Sequence, residues 1–179
     1  MVGYPLSDGD VDMYLWNPAT GELVLWTGVS ASAVVTPGSS FTIGAWVEPS
    51  GPGTLLAQDG TDDSMVFLSA AADGTWQFGI NTAGTTAATY AQDEAGSWTA
   101  GTWTHVVLTY DASSGRLVLY VDGDRADTVH VSGAATADGP FVLGANQTDG
   151  AIGSYFPGEV ARVVTFDSAL TADGVKRLP

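Results

Sequence analysis

Residues 103–123 read WTHVVLTYDASSGRLVLYVDG. Two apolar runs, 103–110 and 116–121, flank Asp111-Ala112-Ser113-Ser114-Gly115. Both runs are rich in β-branched and aromatic residues, and the short stretch between them holds a glycine, so the segment reads as a β-hairpin. Gly115 falls where such a loop needs a left-handed residue, a conformation in which a Cβ would clash. Alternation places Trp103, His105, Val107 and Thr109 on one face and Thr104, Val106, Leu108 and Tyr110 on the other. Both faces are largely apolar, which predicts a strand covered on both sides, with Trp103 and His105 largely buried. Asp122-Gly123 is a type I′ turn signal that sends the chain back through 124–131.

Two further stretches accompany this hairpin in order: FTIGAWV at 41–47 and FPGEVARVVTFDSAL at 156–170. Together the three segments resemble bacterial laminin-G-like domains of the concanavalin A-like lectin/glucanase superfamily, over about residues 34–179. The resemblance implies an all-β fold, a two-sheet antiparallel jelly-roll sandwich. It does not settle a function, because that fold hosts lectins, glycosidases, adhesion modules and plain spacers.

At 179 residues and 45% hydrophobic content, a single domain with a sizeable core is expected over 1–179. The formal charge of −15, from 5 basic and 20 acidic residues, argues against nucleic acid and anionic membrane surfaces as partners. It favours cations and neutral or basic partners. The absence of Cys rules out a disulfide framework and thiolate zinc sites. No run of about 18 apolar residues marks a membrane span. Residues 1–13 show no basic region followed by an apolar core, so no signal peptide is read there.

Residues 16–26, WNPATGELVLW, repeat the chemistry of 110–120, YDASSGRLVLY. Either two segments have converged on one hairpin solution, or residues 1–29 are a strand pair similar to a calcium-binding propeller repeat, left from a preceding module. Further strands are expected at 41–48, 54–58, 65–70, 76–81, 86–92, 124–131, 141–143 and 160–166, separated by signals such as Asp59-Gly60 and Asp73-Gly74. In the last strand, Val160, Arg162, Val164 and Phe166 would oppose Ala161, Val163 and Thr165. The tail 170–178 reads as a short C-terminal helical turn capped by Thr171, with basic residues at its end.

Most catalytic chemistry fails on these residues. Glucanases of the resembled fold place carboxylates at alternate positions of one strand, because two must flank the scissile bond. Glu22, Glu48, Glu94 and Glu159 each lack an acidic neighbour two residues away. His105 reads as a core residue and His130 as half exposed, and neither a nucleophile elbow nor a phosphate loop is present. An enzyme is not expected.

Calcium fits better, since hard cations take oxygen ligands from closely spaced carboxylates in loops. The candidates are Asp8, Asp10 and Asp12 in one loop and Asp59, Asp62 and Asp63 in a second, with Asn146 and Asp149 in a third. The resemblance implies calcium at the sandwich rim. One departure bears on this: relatives often read Gly-x-Ile-Asp-Asp/Glu where this chain has Gly158-Glu159-Val160-Ala161-Arg162.

Carbohydrate binding needs an aromatic platform and a few polar groups in a shallow groove. Tyr90, Trp98, Asn146, Gln147, Asp149 and Tyr155 fall in or beside predicted loops and could supply both, whereas Trp46, Trp76 and Trp103 fall within strands and read as core. The reading that follows is a non-catalytic recognition or adhesion module of a larger extracellular or particle-associated protein, with carbohydrate as ligand and calcium as a structural ion. The alternatives are a structural or assembly module, with a protein partner and no sugar, as in a virion tail or injection particle, and a glycoside hydrolase.

Overall fold

The computed structural model describes residues 13–17, 22–26, 38–83, 89–137 and 139–178. In chain order the strands are β1 (Met13–Asn17), β2 (Glu22–Trp26), β3 (Phe41–Pro49), β4 (Gly53–Asp59), β5 (Ser64–Ala70), β6 (Trp76–Asn81) and β7 (Tyr90–Ala95). There follow β8 (Thr104–Asp111), β9 (Arg116–Val121), β10 (Asp124–His130), β11 (Phe141–Leu143), β12 (Asn146–Thr148), β13 (Ala151–Gly153) and β14 (Gly158–Phe166), then one helical turn, α1 (Ala172–Val175). Sheet I runs β10-β9-β8-β3-β14 and sheet II runs β11-β4-β5-β6-β7, both antiparallel. This is the two-sheet jelly-roll sandwich of the sequence reading. Among the described residues no helix is long and apolar enough to cross a membrane.

The core lies between the sheets. Phe41, Ile43, Ala45 and Val47 of β3 alternate inward, as do Val106, Leu108 and Tyr110 of β8, and they meet Val66, Leu68, Trp76, Phe78 and Ile80 of sheet II. The outer face of sheet I is also covered at Val107, Val118 and Tyr120, where Val175 packs with Leu170 and Leu178 beside it. The central strand is therefore buried on both sides. Thr171 caps α1 by accepting a hydrogen bond from the Gly174 amide at 3.2 Å.

Turn chemistry follows the sequence closely. Gly115 has φ +63°, and a Cβ there would stand 2.5 Å from the Val131 carbonyl oxygen. Asp122 and Gly123 have φ of 51° and 82°, both left-handed as a type I′ turn demands. The Asp122 carboxylate accepts from the His105 amide at 3.0 Å. The two similar hairpins share one register: Asn17 faces Glu22 as Asp111 faces Arg116.

Four expectations are corrected. Trp103 is 41% exposed, because β8 begins one residue later and the C-terminal turn covers only the middle of the outer face. Trp46 is also no core residue: it lies half-buried on that outer face, stacked on His105 at 5.1 Å, and only His105 and Trp76 are buried as expected. The alternation in β14 breaks at a bulge between Ala161 and Val164, with Arg162 at φ 51°, so Val160 and Val163 both pack on the core. An inserted residue shifts side-chain parity, which an alternation rule cannot anticipate. Asn146, placed in a loop with Asp149, instead opens strand β12, and Asp149 lies in the turn of the β12–β13 hairpin. Of the strand expected at 86–92, residues 84–88 lie outside the described residues.

Candidate functional site

The outward positions of β5, β6 and β7 form rows across sheet II. Phe67 pairs with Gly79, which pairs with Gln92, while Ser69 pairs with Gln77 in the next row. The β12–β13 hairpin and the start of β4 add Asn146, Thr148, Ser154 and Thr54, and the result is a cleft of about 490 Å³. Gly79 makes room for it: a Cβ there would stand 2.7 Å from the Phe67 ring and 2.9 Å from Gln92 Cβ. Tyr90, at the start of β7, meets Phe67 edge-on with ring centroids 5.2 Å apart.

The acidic rim borders this cleft. Two loops that the sequence separates by more than eighty residues are tied together here. The Ser64 hydroxyl donates to Asp59 Oδ1 at 2.5 Å and accepts from the Gln147 amide at 2.9 Å. Gln147 Nε2 donates to the Thr61 carbonyl, the Asp149 amide to Asp63 Oδ1 at 3.2 Å, and the Gly150 amide to the Asp62 carbonyl. Tyr90 closes the arrangement by donating its hydroxyl to the Ser64 carbonyl at 2.7 Å.

The rim electrostatics are those of buried carboxylates without a basic counter-ion. Asp59 is fully buried, and burial raises its pKa against the opposing hydrogen bonds from Ser64 and Gln147. Its Oδ2 is buried with no hydrogen-bond partner among the described residues. Tyr90 is pushed up to about 12, first by burial and then by the negative charges of Asp63 and Asp59.

Of the residues singled out from sequence, Asp59, Asp62, Asp63, Tyr90, Asn146, Gln147 and Asp149 gather at this one rim and cleft. Tyr155 stands 60% exposed beside it, bridged to Thr54. Trp98 does not join them: it packs on the core and donates its indole N–H to the Ala71 carbonyl at 3.0 Å. Asp8, Asp10 and Asp12 lie outside the described residues. Among the described residues no three His, Cys, Asp or Glu side chains converge as a metal cluster. Phe67, Ser69, Gln77, Gly79 and Gln92 escaped the sequence reading, although Gly79 between Phe78 and Ile80 was a signal of close approach.

Sheet I holds one further surprise. Glu48 and Glu159, isolated in sequence, are directly opposite each other in the β3–β14 pair. Neither lines the cleft on sheet II.

A family model described as the concanavalin A-like lectin/glucanases superfamily matches residues 26–176. No curated protein matches the sequence. Among solved structures, the chain is similar to a heptameric SAP-like pentraxin from Limulus polyphemus, at TM-score 0.60 and 20% identity over 79% of this chain and 70% of that one. It is also similar to the carbohydrate-binding module, CBM40, of the Ruminococcus gnavus IT-sialidase, solved with α2,3-sialyllactose, at TM-score 0.62 and 15% identity over 79% and 83% of the two chains. The Trypanosoma rangeli sialidase matches at TM-score 0.55 and 25% identity over 78% of this chain but 22% of its own.

Proposed function

The chain belongs to the concanavalin A-like lectin/glucanase superfamily, and from that premise we propose that it is a non-catalytic recognition module for a neutral carbohydrate, bound in the cleft on sheet II. The observation that carries this reading is the composition of the cleft. It sets an aromatic pair, Tyr90 on Phe67, among the amides of Gln77, Gln92 and Asn146 and the hydroxyls of Thr54, Ser69 and Thr148. Sugar C–H faces stack on a ring while amides and hydroxyls take the ring hydroxyls. No basic side chain lines the cleft, so it supplies nothing to neutralise an acidic sugar. Among the described residues Asp63 is its one carboxylate, and glycoside hydrolysis by the common mechanisms needs two that flank the bond.

The same reading places calcium at the rim. Its donors there are all oxygen, as a hard cation requires, and the unpartnered Oδ2 of buried Asp59 offers lone pairs that nothing among the described residues satisfies. Asp59 and Asp63 would hold the ion, with nearby carbonyls and water completing its shell. The ion would offset clustered charge and pin the two loops together. A module of this kind serves a larger extracellular or particle-associated protein in adhesion.

An array of neutral oligosaccharides, probed with and without calcium, tests the reading. Binding is expected, weakened tenfold or more by Tyr90→Ala and by Gln92→Ala, with no release of reducing sugar. Affinity indifferent to both substitutions, or hydrolysis abolished by Asp63→Asn, would sink it.

A further inference from the structure

A second cleft, of about 500 Å³, opens at the β9–β10 edge of sheet I and is lined by Arg116, Arg125, Ala126, Asp127, Thr128 and His130. The chain has only five Lys and Arg and two His against twenty acidic residues. Two arginines and one histidine in a single cleft are thus a large share of its cationic groups.

Strand register assembles them. Arg116 faces His130, Val118 faces Thr128, and Arg125 faces Tyr120. These pairs share the outer face because a bulge at Ala126 shifts parity by one and brings Arg125 out beside the others. Four residues of strand separate the Arg116 and Arg125 ends, about 13 Å.

Two of the neighbouring carboxylates, Asp111 and Asp124, are engaged elsewhere, which leaves Asp127 as the carboxylate of the cleft itself. Asp111 faces Arg116 across β8–β9 but accepts hydrogen bonds from the Ser113 amide and from the Ser113 and Ser114 hydroxyls, at 2.7–2.9 Å. Asp124, adjacent to Arg125, lies 3.3 Å from Lys176 Nζ. Among the described residues the Lys176–Asp124 contact is the one ion pair, so neither guanidinium is held in a salt bridge. A guanidinium fork matches an oxyanion in shape as well as charge.

We infer that this cleft is a second binding site, for an acidic saccharide whose sulfate or carboxylate groups sit at Arg116 and Arg125. Thr128 faces out between the two cationic ends, while Asp127, paired with the inward-facing Leu119, borders the cleft, and the two favour a sugar over a continuous polyanion. A carboxylate there repels a chain with an anion on every unit but accepts hydrogen bonds from the hydroxyls of a saccharide whose anionic groups are spaced out to the two arginines. The overall charge of −15 opposes acidic ligands at long range, yet at physiological salt charges beyond about 8 Å are largely screened, so the local arginines govern. The site lies on the other sheet from the neutral-sugar cleft and stands independently of it.

Calorimetric titration of the intact protein tests this with three tetrasaccharides: one sulfated, one bearing uronates, and one neutral. At least one acidic sugar is expected to bind, tenfold or more weaker in the Arg116→Gln/Arg125→Gln double variant, while Arg116→Lys/Arg125→Lys retains part of the affinity. A control with the same charge change, Arg162→Gln/Arg177→Gln, should bind as the native chain does. Whichever acidic sugar responds identifies the anionic group. The inference is overturned if neither acidic sugar binds, if the Gln double variant binds unchanged, or if the control loses as much affinity.

Discussion

Tyr90 connects the aromatic wall of the sheet II cleft to the acidic rim. Its hydroxyl is held neutral by burial and by the charges of Asp63 and Asp59, which push its pKa up to about 12 from an ordinary 10. A group whose folded pKa is raised contributes its stability fully below the unfolded value and loses it as pH climbs through the folded one. The neutral Tyr90 hydroxyl therefore supports the fold up to about pH 10, and that support disappears between about 10 and 12. Spectrophotometric titration should show one tyrosine ionising near 12, absent in Tyr90→Phe. Calcium bound at the rim would shift that step downward by neutralising the two carboxylates. Asp59 carries the opposite constraint: burial raises its pKa, so a bound cation must displace a proton held at higher pH than on an ordinary aspartate.

At the level of elements, the β3–β14 pair shows how register creates interactions no local reading contains. Glu48 and Glu159 lie 111 positions apart, yet they face each other in the ladder. Like charges directly opposite across a strand pair are destabilising, and opposite charges favourable, by about 0.2–1 kcal/mol. Glu159→Lys should accordingly raise the denaturation midpoint by a corresponding amount with an unchanged m-value. A midpoint at or below that of the native chain would show that the two carboxylates are already relieved by solvent. The bulge just beyond, at Arg162, turns β14 so that Val160 and Val163 both reach the core, while Phe166 is left 37% exposed.

For the whole molecule, the governing quantity is a charge of −15 gathered in part at one rim. Any ion held there offsets repulsion and also ties the 59–64 loop to the β12–β13 hairpin. At calcium ten times above a dissociation constant of about 10⁻⁴ M, stabilisation is about 1.4 kcal/mol, or roughly 3 °C in melting temperature. A thermal melt in EDTA against millimolar calcium, repeated in magnesium, should show that rise with calcium alone and lose it in Asp59→Asn. Equal shifts with both ions would reduce the rim to a screened acidic surface.

The sequence by itself determined the sandwich. Period-two alternation in 41–47 and 104–110, the left-handed glycine at 115, the Asp122-Gly123 turn and the Thr171 cap are local features, each set by sterics within a few residues. Burial of Trp76 and His105 followed from the same patterns. Tertiary structure alone decided what the surfaces can do. Trp103 and Trp46 lie outside the core because helix α1 covers only part of sheet I. The acidic loops near 60 and 148 became one rim through Ser64 and Gln147, a contact 83 residues long. Arg125 came to stand beside Arg116 through a bulge at Ala126. Each of these depends on strand register and on loop meeting loop, and neither quantity is carried by the local alternation from which strands are read.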